Sequence, residues 1–138
     1  MFGYKHYVPI LKGKEGEFRA LALLAPSVRR KITPFIDVPR VDIDIRTNKP
    51  KDPIHVYLEK KVEKIRKFWG TDQELFVDVF DLDLNLRTPK GSHFLEFLFS
   101  QLRANSIRAI PVIGLDRSTN TAYVDAVSWG LCCGQLRR

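Results

Sequence analysis

The sequence predicts an α/β fold in which helices flank a parallel sheet of about four βα units. Short apolar runs begin near a proline and end on a polar residue or a glycine, as in "PILK", "PFID" and "PVIG". Segments with apolar residues at helical spacing separate these runs. Strands that are apolar on both faces and joined by helices are typical of a parallel sheet with right-handed crossovers.

The first unit comprises a strand at residues 7–12 and a helix within "GKEGEFRALALLAPSV". Proline is tolerated near the start of a strand, where it interrupts the ladder least. In the helical segment, Phe18, Leu21 and Leu24 recur at helical spacing. Pro26 ends this segment, because proline cannot continue a helix.

The second unit begins with a strand at residues 32–38, followed by a long polar loop. Alternating residues at 41–45 predict a short edge hairpin within that loop. A helix then starts with Asp52 as its N-cap and Pro53 at its first position. Gly70 lies just past the end of this helix, so the start and stop signals agree.

The third and fourth units follow the same order. A strand at residues 75–80 precedes a helix that is predicted to run from Ser92, as N-cap, to Asn105. A strand at residues 109–115 then leads into a helix at residues 121–129. The final residues, "LCCGQLRR", are expected to begin a fifth strand. Four βα units correspond to a small open sheet or to half of a TIM-type barrel, which needs about 250 residues when complete.

Polar side chains follow the strands of the predicted sheet. In parallel α/β folds the functional groups lie at the carboxyl ends of the strands, because the interior is packed. We therefore expect these side chains to converge on one rim and to form a candidate ligand-binding site. The alternative is that polar residues lie there only because loops begin. The residues at these positions are Lys12, Asp37, Asp78 or Asp81, and Asp116 with Arg117.

The net charge of +7 is concentrated in the first half of the chain. Residues 1–70 contain 16 Lys and Arg against 8 Asp and Glu, whereas residues 71–138 contain 7 against 8. Such an excess favours a phosphate-bearing partner. Much of it lies in "HVYLEKKVEKIRKF", where lysines alternate with Glu59 and Glu63. That pattern is also typical of a solvated helix face with i,i+4 ion pairs.

The sequence favours a cytoplasmic protein without membrane contact. No apolar run is long enough to span a bilayer, and "MFGYKHYVPILKGK" has no apolar signal-peptide core. Cys132 and Cys133 are adjacent, a separation at which a disulfide is strained. We expect two buried thiols in a reducing compartment and no metal at the cysteines.

Several motifs in combination resemble the beta protein family of bacteria and their phages. The resemblance lies in "YVPILKGKEGEFRAL", "ITPFIDVP", "FVD" and "AIPVIGLDR", and it extends to about residue 127. On this basis Glu17 joins the candidate rim. The positions that carry the resemblance are Lys12, Lys14, Gly16, Glu17, Ala20, Leu21, Pro34, Asp78, Pro111, Gly114, Leu115, Asp116 and Arg117.

The resemblance implies a longer protein with a complete α/β barrel, of which residues 1–138 form a single N-terminal domain. It also implies genes that lie near mobile-element and phage-defence genes, and it supplies no reaction or cofactor. "AVSWGLCCGQLRR" departs from the expected fifth strand. We expect either a truncated gene product or a half-unit that assembles with another copy, and poor solubility as a monomer.

Two functions fit these observations, and the third alternative is a truncated remnant that lacks function because half of its fold is missing. In a ligand- or metal-binding barrel fragment, Lys12 would hold an anionic group, while Asp37 and Asp78 would bind a divalent metal or act as acid and base. No histidine lies at a strand end, and no phosphate loop or nucleophile elbow is present, so enzymatic activity stays open. The alternative is a module that binds nucleic acid or protein through its basic N-terminal half, without a groove-reading or base-stacking motif.

Overall fold

The computed structural model describes the backbone of residues 3–134 and the side chains of residues 3–129. The strands are β1 (Ile10–Leu11), β2 (Phe35–Asp37), β3 (Ile43–Asp44), β4 (Lys49–Pro50), β5 (Leu75–Asp78) and β6 (Ala109–Pro111). The helices are α1 (Glu15–Ala22), α2 (Pro26–Arg29), α3 (Ile54–Phe68), α4 (Phe94–Ala104) and α5 (Thr121–Gly134). A short 3₁₀ turn covers Leu115–Arg117.

The main sheet has four parallel strands in the order β1-β2-β5-β6. Each strand is separated from the next by at least one helix, so the predicted α/β class and the parallel sheet are confirmed. The fourth strand is shorter than predicted. It ends at Pro111, and residues 115–117 form the 3₁₀ turn.

The core lies between one face of the sheet and the helices. Ile36 in β2 and Val77 in β5 are in register, and both are buried. They belong to one apolar cluster with Leu58 of α3 and Leu98 of α4. Helix α3 packs between α1 and α4, and α4 contacts α5, so the helices follow the order of the strands. This arrangement aligns the carboxyl ends of the strands at one edge.

The predicted edge hairpin is present in the loop after β2. Strands β3 and β4 pair antiparallel, with Asp44 opposite Lys49. Asn48 has φ +51° at the turn between them, a conformation that Asn tolerates better than most residues. This hairpin and the start of α3 form one side of a groove beside the rim.

Two predicted helix boundaries differ from the structure. The cap of α3 is Pro53 and not Asp52, whose carboxylate instead forms an ion pair with Lys60. The cap of α4 is His93 and not Ser92, because the His93 ring accepts a hydrogen bond from Leu95 N. Both helices end close to the predicted stops, α3 before Gly70 and α4 before Asn105.

The fifth strand predicted from "LCCGQLRR" is wrong for residues 131–134, which continue α5 as helix. Residues 135–138 lie outside the described residues, as do the side chains of Cys132 and Cys133. A continuous apolar run such as this one does not distinguish a buried strand from a buried helix. Within the described residues, no helix combines the length and the apolar character that crossing a membrane requires.

Candidate functional site

Two aspartates occupy equivalent positions at the carboxyl ends of β2 and β5. Asp37 is in register with Asp78, and the two residues are only 9 % and 8 % exposed. Two residues earlier, Phe35 and Phe76 are also in register, so all four side chains lie on the same face of the sheet. The strands therefore bring the two predicted carboxylates together at one rim.

The first cluster at the rim joins Lys12 to two carboxylates. Lys12 Nζ lies 2.5 Å from Asp37 Oδ2 and 3.1 Å from Asp81 Oδ2. These hydrogen bonds, first to Asp37 and then to Asp81, raise the pKa of the Lys12 ammonium. The other carboxylate oxygen of Asp37, Oδ1, is buried and has no hydrogen-bond partner among the described residues. Lys12 is thus a protonated, half-exposed cation at neutral pH.

The second cluster contains a buried ion pair. Arg117 Nη1 lies 2.6 Å from Asp78 Oδ1, and the two side chains are 6 % and 11 % exposed. Asp78 Oδ1 also accepts a hydrogen bond from Val79 N at 2.8 Å. Burial acts to lower the pKa of the Arg117 guanidinium, but the hydrogen bond and charge of Asp78 outweigh it and raise the pKa. Asp116 lies further out, with its Oδ2 3.6 Å from Arg117 Nε.

Aromatic rings and a glycine enclose the Arg117 guanidinium. Its central carbon lies 5.2 Å from the ring centroid of Tyr123 and 5.7 Å from that of Phe80. A Cβ atom on Gly114 would lie 2.5 Å from Arg117 Nη2, so only glycine leaves the space that the guanidinium occupies. Tyr123 donates a hydrogen bond to Val112 O at 3.0 Å, and burial raises the pKa of its phenol.

The sequence analysis did not predict that the rings of Tyr123 and Phe80 lie against the Arg117 guanidinium. Gly114 carried part of the family resemblance, but nothing in the sequence indicated that it packs on Arg117. The one available signal was local: Gly114 lies three residues before Arg117 in a short loop. Tyr123 comes from the next helix, and its contact with Arg117 depends on how α5 packs.

Glu17 does not join either cluster. It lies in the first turn of α1, where its Oε2 accepts a hydrogen bond from Lys14 N at 3.0 Å. This is the carboxylate half of a capping box, which stabilises the start of the helix. Gly13, with φ +64°, turns the chain between β1 and α1 and so keeps Lys12 at the rim.

A groove of about 710 Å³ adjoins the first cluster. Apolar side chains from the hairpin, the start of α3 and the loop after β5 form most of its wall. Asp81 lies on this wall and also contacts Lys12, so the groove opens beside the rim. Arg40, at its edge, donates from Nε to Asp81 O at 3.1 Å. The apolar lining consists of Val41, Pro50, Pro53, Ile54, Phe80, Leu82 and Leu86.

Carboxylates outnumber cations in the two clusters. Two cationic and four anionic side chains give a formal charge of −2. In the part of the chain that the structure describes, no group of three or more His, Cys, Asp or Glu residues could hold a metal ion. The surplus of carboxylates suits a group that donates hydrogen bonds or carries positive charge.

The lysines of α3 bind groups on other elements. Lys64 lies 2.8 Å from Glu15 of α1, and Lys60 lies 2.9 Å from Asp52. Lys61 donates to Gly13 O at 3.0 Å, and burial, together with the charge of Lys64, lowers its pKa. Lys60 and Lys64 of the basic half are thus paired with carboxylates of the protein, whereas Lys61 binds a backbone carbonyl.

Comparison with known proteins adds one result. No curated protein and no solved structure shows significant similarity to the chain. The family model described as "Beta protein" matches residues 7–128, a span that includes both clusters of the rim. The resemblance predicted from the motifs is therefore confirmed. The chain belongs to the Beta protein family.

Proposed function

We propose that the rim and the adjoining groove bind a small organic molecule with a positively charged or hydroxyl-bearing head group and an apolar body. The observation that carries this proposal is Asp37 Oδ1, a buried carboxylate oxygen without a partner among the described residues. A buried acceptor left without a donor costs about 1–3 kcal/mol. A donor from a ligand that enters at the rim would offset that cost.

The charge of the rim supports this choice of head group. Lys12 is shared by Asp37 and Asp81, so its charge is already compensated. The surplus of carboxylates favours a cation over an anion, since like charges repel at short range. The groove supports an apolar body, because an apolar wall with few polar groups is typical of a small-molecule site.

Each residue has a separate role in this proposal. Asp37 accepts a hydrogen bond from the head group, and Asp81 contributes charge where the groove meets the rim. Lys12 keeps these two carboxylates close together before the ligand binds. The buried pair of Arg117 and Asp78 forms the rigid base beside them. No covalent step is proposed for any of these groups.

The proposal places this site in one half of a TIM-type barrel. The strand order β1-β2-β5-β6 follows the chain, with each new strand added to the same edge, as in a barrel. We also propose that the protein acts in the cytoplasm, in phage or mobile-element biology, which the family resemblance supports. Binding of an anionic ligand at Lys12 and binding of nucleic acid by the basic N-terminal half remain predictions from the sequence.

A matched pair of probes tests the head group. Benzamidine and benzoate have the same ring but carry opposite charges. We expect benzamidine to raise the melting temperature of the wild-type protein by a few degrees at millimolar concentration, because a ligand that binds only the folded state stabilises it. Benzoate should have no such effect. Isothermal titration calorimetry would then give the dissociation constant for benzamidine.

Two variants test whether benzamidine binds at the rim. Asp37→Asn should abolish the effect of benzamidine, whereas Asp72→Asn, which changes an exposed carboxylate outside the rim, should leave it unchanged. A stronger effect of benzoate or inorganic phosphate would support the anionic-ligand prediction and reject the proposal. An equal effect of benzamidine on wild type and Asp37→Asn would place its binding elsewhere.

A further inference from the structure

One face of the four-stranded sheet presents an open apolar row. Ile10, Phe35, Phe76 and Ile110 lie in register across all four strands, on the face opposite to Ile36. Ile36 is 2 % exposed, whereas Ile10 is 71 % exposed and the other three members of the row are half-buried. The rings of Phe35 and Phe76 are 6.4 Å apart and continue the row between the outer strands. A row of this kind is what the interior of a barrel buries.

The two outer strands present complementary backbone edges. Val112 N donates to Val77 O at 3.0 Å, so the N–H of Val112 points toward β5. Because backbone groups alternate in direction along a strand, the carbonyl of Pro111 points away from the sheet. On β1, Pro9 O accepts a hydrogen bond from β2 at 2.8 Å, so the N–H of Ile10 points away from the sheet. One edge thus offers an acceptor, and the other offers a donor.

Polar and apolar side chains are exposed at both edges. At the end of β1 the Lys12 side chain is 48 % exposed, and beyond β6 the Asp116 side chain is 54 % exposed. Tyr7, before β1, and Ile113, after β6, are 66 % and 57 % exposed. Large apolar side chains at a strand edge are an association hazard unless another chain covers them.

We propose that a second copy of this chain covers the open face. In this dimer β1 of each copy pairs in parallel with β6 of the other, around a two-fold axis along the barrel axis. The two junctions are then equivalent, and eight strands close into a barrel whose interior is just wide enough for side chains to fill. Lys12 of one copy lies near Asp116 of the other, and the rim is built from both copies.

A second copy fits better than an unrelated partner because the same two edges supply both junctions. An unrelated strand would pair with one edge and leave the other exposed. Further barrel units on a longer chain are the other occupant that this geometry would accept. The oligomeric state of the purified 138-residue chain tests the second copy directly, because residues 1–138 supply only four of the eight strands.

Sedimentation velocity over a wide range of concentrations is the test. We expect the purified chain to sediment at twice its monomer mass of 15.9 kDa. Ile10→Asp places a carboxylate in the apolar row and should weaken the dimer at least tenfold, with unchanged circular dichroism. The matched control is Ile45→Asp, which changes an isoleucine that is 97 % exposed beyond β3, and it should remain dimeric.

Three results would overturn the proposal. A monodisperse wild-type monomer at every concentration would show that a second copy does not cover the face. Equal weakening by Ile45→Asp would mean that the apolar row is not the interface. Larger aggregates that Ile10→Asp leaves unchanged would indicate non-specific association. None of these readings depends on a ligand, so the dimer and the proposed ligand site fail or succeed separately.

Discussion

Asp37 and Asp78 lie opposite each other in neighbouring parallel strands, yet each is bound by a different cation. Two carboxylates at such positions would repel each other if both were unpaired. Lys12 is half-exposed, so its ion pair with Asp37 is screened by solvent. Arg117 is buried, and its pair with Asp78 is screened much less. The two halves of the rim should therefore contribute differently to stability.

Replacement of the buried cation should be strongly destabilising. Arg117→Met leaves the buried Asp78 carboxylate without its counter-ion, and we expect the free energy of unfolding to fall by about 3–5 kcal/mol. Urea unfolding followed by circular dichroism measures this change. Arg108→Met is the matched control, because it removes an exposed ion pair with Glu74 and should cost less than about 1 kcal/mol. Equal losses of unfolding free energy in the two variants would contradict the prediction that the buried Arg117–Asp78 pair stabilises the fold more than an exposed pair does.

A methyl group at Gly114 should disturb the same pair. Its Cβ would lie 2.2 Å from Asp116 Oδ1 and 2.5 Å from Arg117 Nη2, so we expect Gly114→Ala to cost about 1–3 kcal/mol. The part of this cost that comes from the guanidinium should disappear in the Arg117→Met background, whereas the clash with Asp116 Oδ1 remains. Gly16→Ala is the control. Outside its chain neighbours and the backbone of α1, no atom lies within 4 Å of its added Cβ, and alanine favours helix α1. An effect of Gly114→Ala no worse than the control would refute the steric explanation.

The sequence was sufficient to predict the alignment of the strand ends. Parallel strands run in one direction, so Asp37 and Asp78 had to meet wherever β2 and β5 are neighbours. It was not sufficient to predict which cation each carboxylate binds. Asp81 pairs with Lys12, and Arg117 folds back to Asp78, because of loop conformations that local patterns do not encode.

The sequence was also not sufficient to predict ion pairs between distant elements. The alternation of lysines with Glu59 and Glu63 indicated i,i+4 pairs within one helix. In the structure Lys64 pairs with Glu15 instead, which depends on how α1 packs against α3. Periodicity reports which face of a helix is polar, but it does not report which element lies across from that face.

The imidazole of His93 should stabilise the start of α4. Nε2 lies 2.7 Å from Leu84 O, and Nδ1 accepts a hydrogen bond from Leu95 N at 3.2 Å. This geometry requires the neutral ring with its proton on Nε2, which the ¹⁵N shifts of the ring would report. His93→Ala loses both bonds, and we expect a cost of about 1–3 kcal/mol in urea unfolding.

Two further variants separate the bonds of His93. His93→Asn keeps a side-chain acceptor at the N-cap and should recover only part of the loss. Ser92→Ala changes the exposed residue that precedes the cap and should be nearly neutral. A loss from Ser92→Ala as large as that from His93→Ala would mean that His93 is not the cap. A ring proton on Nδ1 would contradict both hydrogen bonds.

The ammonium of Lys12 should react slowly with acylating reagents. The hydrogen bonds of Asp37 and then Asp81 raise its pKa above the ordinary lysine value of 10.5. The resulting stabilisation is present below pH 10.5 and is lost as the pH rises through the folded-state pKa. Acylation requires the neutral amine, so at pH 8 Lys12 should be acetylated several-fold more slowly than the exposed Lys90. Mass spectrometry of peptides after timed reaction measures both rates.

Removal of the carboxylates should reverse this protection. Asp81→Asn removes one of the two carboxylates that contact Lys12. It should increase the acetylation rate of Lys12 and leave that of Lys90 unchanged. Asp72→Asn, outside the rim, should change neither rate. If Lys12 reacts as fast as Lys90 in the wild-type protein, the ion pairs do not raise the pKa of Lys12 in solution. Lys12 would still be a cation at pH 8, but Asp37 and Asp81 would not hold its ammonium in the position that the proposed ligand site requires.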